Sequence, residues 1–350
     1  MSKKEKRSLR KTILIIIVLL LFIIFAVATY AWLSVQRDVE ITGLNVKIEV
    51  SEKLEISLNG DEWTDKIEIT DMNQLLGTAG TGHQARAGDN NNYIPNTLIP
   101  VSTTGSISNG FFDMVIGDYD GKTLENIRLC NENNLTQENN RDHPYLVFDL
   151  YLKDTTQNPA SIDQIYLDAG SSVFAEIDDV GLAESSRVGF IAYNTNTAEL
   201  TASGGSVRAL TGGSNDIAAI WEPNYLRHTQ HVVESDSRVT STSQEIPAYG
   251  LRTSAVGSII ENVEDTGSGY LGSVTTNKTP QDSSTHETTQ QATLTCTDGS
   301  TTFGIRSNRI TKVRTYIWLE GQDPDCVNLA STGKVINANF KFIKDIVNAP

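Results

Sequence analysis

Cysteine, methionine and proline are scarce: three Cys, three Met and nine Pro in 350 residues. With no Cys-x-x-Cys spacing, the cysteines form neither a zinc ribbon nor a dithiol redox motif. Basic charge is scarce too, with 28 Lys and Arg against 43 Asp and Glu. Six of the basic residues (Lys3, Lys4, Lys6, Arg7, Arg10, Lys11) crowd into the first twelve positions beside a single acid, Glu5. The first twelve residues carry +5, and the remaining 338, with 22 basic and 42 acidic residues, carry −20. Such an acidic body lacks the Lys/Arg-rich face that phosphates require, which excludes nucleic acid as a partner. Long 3.6-residue periodicity is missing after about residue 38. Gly-x-Ser-x-Gly, Walker A and dinucleotide-binding fingerprints are missing as well, and Gly267-x-Gly269 lies in a Ser/Thr-rich stretch rather than between a strand and a helix.

What is present begins with one long apolar run. Ile13–Ala28 is unbroken, and with Thr29 as its only interruption the run reaches Leu33. About 20 helical residues cross a hydrocarbon core of about 30 Å. The preceding basic cluster predicts a cytoplasmic start and an exported remainder, with the membrane engaged through Ile13–Leu33. Small residues close the run in Ala26-Val-Ala28 and Thr29-Tyr-Ala31. They predict cleavage by a signal peptidase near Ala28 or Ala31, with a retained signal anchor as the competing reading. A lipobox cysteine, a C-terminal LPxTG-like signal and the pilin Gly-Phe-x-x-x-Glu junction are all missing.

From residue 38 short alternating runs take over. Strands are predicted at Val46–Val50, Leu54–Leu58, Tyr145–Leu152, Ile162–Leu167, Ser172–Ile177, Arg187–Tyr193, Ala218–Trp221, Val313–Glu320 and Val335–Ile343. Alternation predicts one face in a core and one in water. Asn59-Gly60 is a hairpin turn signal, and short helices are predicted at Asp71–Leu76 and Asp178–Ala183. The expected fold is all-β: a jelly-roll-like β-sandwich spanning 38–350, with insertions near 77–110 and 224–308, preceded by an export segment over 1–37.

Chemistry-bearing residues are few. Cys130, Cys296 and Cys326 permit one disulfide, with three pairings open, or none at all. His228 and His231 lack the Glu and spacing of a His-Glu-x-x-His zinc site and read as exposed loop residues. Asp118-Tyr-Asp-Gly121 and the acids Glu320, Asp323 and Asp325 read as turns rather than calcium loops. Trp221 and Trp318 sit in apolar strands and read as core. Trp63, beside the Asn59-Gly60 turn, is the ring best placed to stack on a glycan. No catalytic residue, metal or cofactor is predicted.

Three stretches carry a resemblance. They are the junction Ala28-Thr-Tyr-Ala-Trp-Leu-Ser34 with the following Ile41–Ile48, Ala219-Ile-Trp-Glu-Pro-Asn224, and Tyr316-Ile-Trp-Leu-Glu-Gly-Gln-Asp-Pro-Asp-Cys326. Together they resemble the TasA/camelysin-like surface proteins of Gram-positive bacteria and a broader exported β-sandwich family of Firmicutes-like bacteria. The resemblance implies export, maturation at the junction, and polymerisation in which a freed N-terminal segment adds as a strand to the next subunit. Trp32 and Leu33 would then be the anchors, within a donor segment Trp32–Ile48. The expected function is a non-enzymatic cell-surface protein that self-associates into a fibre or matrix. The competing expectation is a membrane-anchored adhesin or glycan-binding module.

Overall fold

The computed structural model describes residues 39–40, 43–51, 53–69, 97–108, 110–119, 123–130, 144–156, 162–168, 170–213, 216–224, 226–235, 239–243, 253–255, 258–259, 263–264, 292–296, 302–321, 323, 325–326 and 335–344. All of them belong to the unit Asp38–Pro350. Ala28, Ala31, Trp32, Leu33, the run Ile13–Leu33 and the helix predicted at Asp71–Leu76 lie outside the described residues.

Strict alternation drives Val46 and Ile48 of β2 (Gly43–Val50) into the interior, while Lys47 and Glu49 stay half-exposed. β20 (Val335–Lys344) does the same, burying Ile336, Ala338, Phe340 and Phe342. β2 lies between β20, to which it is parallel, and the antiparallel β4 (Lys66–Ile69). The first sheet continues outward through β10 (Ile162–Leu167) to β18 (Thr302–Arg306), and β11 (Ser172–Ala175) also pairs with β20. The second sheet has the order β17 (Ala292–Cys296), β13 (Ile217–Glu222), β12 (Ser186–Ala192), β19 (Ile310–Leu319), β9 (Leu146–Asp154), β3 (Leu54–Ser57). It is antiparallel except for the β13–β17 pair.

These two sheets face each other across one core. Val46 and Ile48 of the first meet Phe148, Leu150, Phe190, Trp221 and Ile317 of the second. An aromatic cluster fills the centre: Phe190 lies 5.5 Å from both Phe303 and Phe342 and 5.6 Å from Phe340, and Trp221 lies 6.3 Å from Phe340. Ring pairs of this kind add about 0.5–1.5 kcal/mol each beyond the area they bury.

A third sheet covers the opposite face of the second. It runs β16 (Val263–Glu264), β8 (Thr123–Leu129), β7 (Phe111–Tyr119), β6 (Ser102–Ser108). Phe112 and Met114 of β7 and Ile107 of β6 pack with Val147, Ile191, Ile220, Tyr316 and Trp318 of the second sheet and with Tyr145 just before β9. The architecture is therefore all-β and three layers deep at its middle. β12 and β19 are buried at every position. This corrects the expectation of one wet face: the alternation in these strands sorts residues between two cores, not between core and water.

Among the described residues, two short pairs, β1 (Val39–Glu40) with β5 (Thr97–Leu98) and β14 (Thr253–Ala255) with β15 (Ser258–Ile259), complete the strands, and the short helices are α1 (Gly204–Arg208) and α2 (Gln230–Ser235). All nine predicted strands are present, with bounds moved by up to three residues, as where β19 begins at Ile310. The predicted insertions are partly woven into the sheets: β5 and β6 fall in 77–110, while β17 and β18 fall in 224–308 and form edges of the two main sheets. The helix expected at Asp178–Ala183 is a run of bends and turns, closed where the Ser185 amide donates to the Gly181 carbonyl at 3.0 Å. The Asn59-Gly60 turn does not join a two-residue hairpin. Gly60 takes φ 72°, but the loop opens beyond an Ile56–Thr64 bridge, and the flanking β3 and β4 belong to different sheets.

Candidate functional site

The densest gathering of ionisable side chains sits where β12, β13 and the segment after β19 converge. Arg187 of β12 and Glu222 of β13 flank the buried cross-strand pair Val188–Trp221. The Arg187 guanidinium meets the Glu222 carboxylate at 2.7 Å and Asp323 Oδ2 at 2.5 Å. Its Nη1 donates to the carbonyls of Ser186 at 3.1 Å and Glu184 at 3.3 Å. Asp323 Oδ1 accepts the Asp325 amide at 2.8 Å, so the Asp-Pro-Asp turn closes on itself. Asp325 then holds the start of α2: it accepts the Thr229 amide at 2.8 Å and the Thr229 hydroxyl at 2.9 Å, and meets His228 Nδ1 at 2.6 Å. Trp318 Nε1 donates to Glu320 at 3.4 Å, and Arg227 reaches Glu184 at 3.3 Å.

Burial sets the electrostatics here. Loss of water raises the Asp323 carboxyl; Arg187 opposes this, the neighbouring Asp325 and Glu222 reinforce it, and the group ends up at about 7. Burial would push Arg187 down, but Glu222, Asp323 and Glu320 outweigh it and hold the guanidinium above its ordinary value. Burial raises Glu184, with Arg227 opposing. The arrangement clamps α2 and the segment following β19 onto the central sheet, and it can hold one proton near neutrality. His228 is buried, which corrects the expectation of an exposed loop residue, whereas His231 is exposed. Glu320, Asp323 and Asp325 are buried in ion pairs and hydrogen bonds rather than forming a solvated turn. Among the described residues, no group of three or more His, Cys, Asp or Glu is arranged to hold a metal.

Two further ionic groups escape sequence reasoning. Asp149 of β9 receives Arg314 Nε at 3.0 Å and Nη2 at 3.1 Å, and Lys312 at 2.8 Å. Burial pushes this carboxyl up, but the two cations outweigh it and hold it below the ordinary range. At the other end of β9, both oxygens of Asp154 meet Lys344 Nζ, at 2.8 and 2.9 Å. The only sequence signal for either group is a basic residue inside an otherwise apolar strand, as with Lys312 and Arg314 in β19.

Trp63 is half-buried beside Val207, Tyr151 and Ile310, and Lys153 Nζ stands 5.1 Å from its ring centroid. Its loop is pinned by α1: the Gly204 amide donates to Asp61 at 2.9 Å, and Arg208 pairs with Asp61 at 2.9 Å. Trp221 and Trp318 are core residues, as expected. Cys326 belongs to the core between the first two sheets and Cys130 to the core beneath the third, so no bridge joins these two. Cys296 ends β17. Of the expected donor segment, Gly43–Ile48 pairs within the chain's own first sheet, along β20 throughout and along β4 from Val46 onward. Among the described residues, no helix is long and apolar enough to cross a membrane.

No protein-family model, curated protein or solved structure matches the chain.

Proposed function

We propose that the chain is a non-enzymatic exported surface protein whose mature form assembles by strand addition, the donor being the segment around Trp32 and Leu33 that precedes β2. The observation that carries this reading is the order of features at the N-terminus. A basic cluster and an apolar run with small residues at its end precede β1 and then β2, the inner strand beside β20. The described strands thus begin at Val39, eight residues after Ala31, and the proposed donor lies between these points. On this reading the first two sheets form a jelly-roll-like sandwich, modified by the parallel pairs β2–β20 and β13–β17 and backed by the third sheet. Unpaired backbone groups on an edge strand would receive the donor.

N-terminal sequencing of the protein recovered from cells, with electron microscopy of the same material, tests the proposal. The expected outcome is a new terminus between Thr29 and Trp32 together with polymers. A retained Ile13–Ala28 segment on monomeric material overturns it in favour of the anchored adhesin or glycan-binding module, a reading that the position of Trp63 beside an exposed loop supports.

A further inference from the structure

The Lys344–Asp154 contact has the composition and placement of a bond-forming site. Lys344 lies at the end of β20 in the first sheet and Asp154 at the end of β9 in the second, so the contact spans the sandwich. The side chain of Lys344 is 4% exposed and that of Asp154 0%. Nζ is nearly equidistant from the two Asp154 oxygens, at 2.8 and 2.9 Å, so the amine is held against the whole carboxyl group rather than one oxygen. A second carboxyl, Asp163 of β10, stands 2.6 Å from the same Nζ. The Thr156 hydroxyl also contacts Nζ, and Asp154 Oδ1 accepts the Thr156 amide at 2.8 Å. Four groups from three strands and a loop thus fix one amine against one carboxyl.

We propose that Lys344 and Asp154 condense to an intramolecular amide, with Asp163 as the proton relay. One ammonium proton first passes through Asp163 to the Asp154 carboxylate, leaving a neutral amine that attacks Cγ of the carboxylic acid and forms the new C–N bond. A second proton from that nitrogen then passes to Asp163, which delivers it to the Asp154 hydroxyl. That C–O bond breaks and one water leaves. An ammonium and a carboxylate become an amide and water, so atoms and charge balance without an external reactant.

Three considerations favour the reaction at this site. A reacting pair held by its fold gains an effective concentration of about 10⁵–10⁸ M over free solution. Burying an ion pair costs several kcal/mol per ion before the partners repay it, a cost that a neutral amide does not carry. Burial raises the Asp163 carboxyl, but its contacts with Lys344 and Ser307 outweigh this and hold it below its ordinary range, so beside Nζ it is an anion able to take up and pass on a proton. The Asp149–Lys312 pair provides the internal contrast. It is as close and as buried, but the permanent charge of Arg314 on the same carboxylate keeps that group an anion, which an amine does not attack.

Tryptic peptide mapping of the full chain reads the bond directly. Sequence places Asp154 and Asp163 together on the peptide Asp154–Arg187, and cleavage blocked at an acylated Lys344 leaves Phe342–Pro350. The expected result is one linked species with the summed mass of these two peptides less one water, its fragment ions placing the link at Asp154. It should be absent from Lys344→Arg, which keeps the charge, and from Asp154→Ala, and it should accumulate at least tenfold more slowly in Asp163→Asn. Two unlinked peptides from the wild-type chain overturn the proposal whatever the variants do. A link at Asp163 overturns the assignment of Asp154.

Discussion

A buried carboxyl whose proton is held more tightly in the folded state makes stability fall as pH rises. Asp323 moves from its ordinary 3.8 to about 7 on folding, mainly through burial. Between these values the native chain holds a proton that the unfolded chain has released, so stability declines through that window and levels off above about pH 7. A shift of roughly three units corresponds to about 4 kcal/mol at most. The groups facing Asp323 are Arg187, Glu222 and Asp325, with His228 beyond Asp325. Asp323→Asn keeps the side-chain shape and the acceptor for the Asp325 amide while abolishing the titration. Chemical denaturation of both chains from about pH 4 to about pH 8 should show the wild type losing stability relative to Asp323→Asn as pH rises. Asp149, held below the ordinary range, loses its contribution as pH falls, but equally in both chains, so it cancels in the difference. Parallel curves would refute the role given to Asp323. The sequence allowed no such inference, because an Asp-Pro-Asp turn after a strand reads as solvated until Arg187, 136 residues earlier in the chain, is placed against it.

At the scale of elements, the alternation of β2 and β20 was legible because each has one face against a core and one toward solvent. β19 carries Lys312 and Arg314 in an otherwise apolar strand, yet these even positions are buried too, as are Tyr316 and Trp318, which pack beneath the third sheet. The pattern identified the strand but not the second cover, since polar residues paired with Asp149 look the same in sequence as polar residues in water. The β6–β7–β8 layer was missed for a related reason. β6 is almost entirely Ser, Thr and Gly, β8 mixes Thr, Glu, Asn and Arg with its apolar residues, and Asp118–Gly121 reads as a turn.

What lets that layer dock is Gly189 of β12. A Cβ there would stand 2.7 Å from Phe112 Cε2 and 3.1 Å from Trp318 Cζ3, inside van der Waals contact. Phe112 also packs edge-on to Tyr316 with centroids 5.1 Å apart, so it has little room to retreat. Gly189→Ala should therefore destabilise the chain by about 1–3 kcal/mol, although alanine suits a strand better than glycine. Hydrogen exchange should locate the loss, with protection falling first in Phe111–Tyr119 and last in β20. Unchanged exchange in β7 would mean that the glycine does not set the distance between the layers.

For the molecule as a whole, the charge arithmetic and the position of β2 constrain assembly together. A body carrying −20 repels its own copies, so association must come from directional contacts rather than from general attraction. Strand addition supplies these, but only from chain that the fold has not already used. β2 is hydrogen-bonded to β20 over eight residues and to β4 on its other side, with Val46 and Ile48 in the main core. Charge and apolar length alone raise the expectation of export and of a junction. They do not show that Gly43–Ile48 pairs inside the sheet, because Trp32–Ile48 reads as one extended segment in sequence. A pair of truncations separates the two halves. Removing residues 1–42 should leave a folded, monomeric protein, because β2 onward is intact and only the two-residue β1 pair with β5 is lost together with the proposed donor. Removing residues 1–50 should abolish cooperative unfolding, because the gap between β20 and β4 exposes Phe340, Phe342 and Ile69 along a central strand site. Circular dichroism melts and light scattering on both chains read the outcome. Polymers formed by the chain lacking 1–42 would remove the N-terminal segment as donor, and a folded chain lacking 1–50 would show that β2 is dispensable and free to be exchanged between subunits.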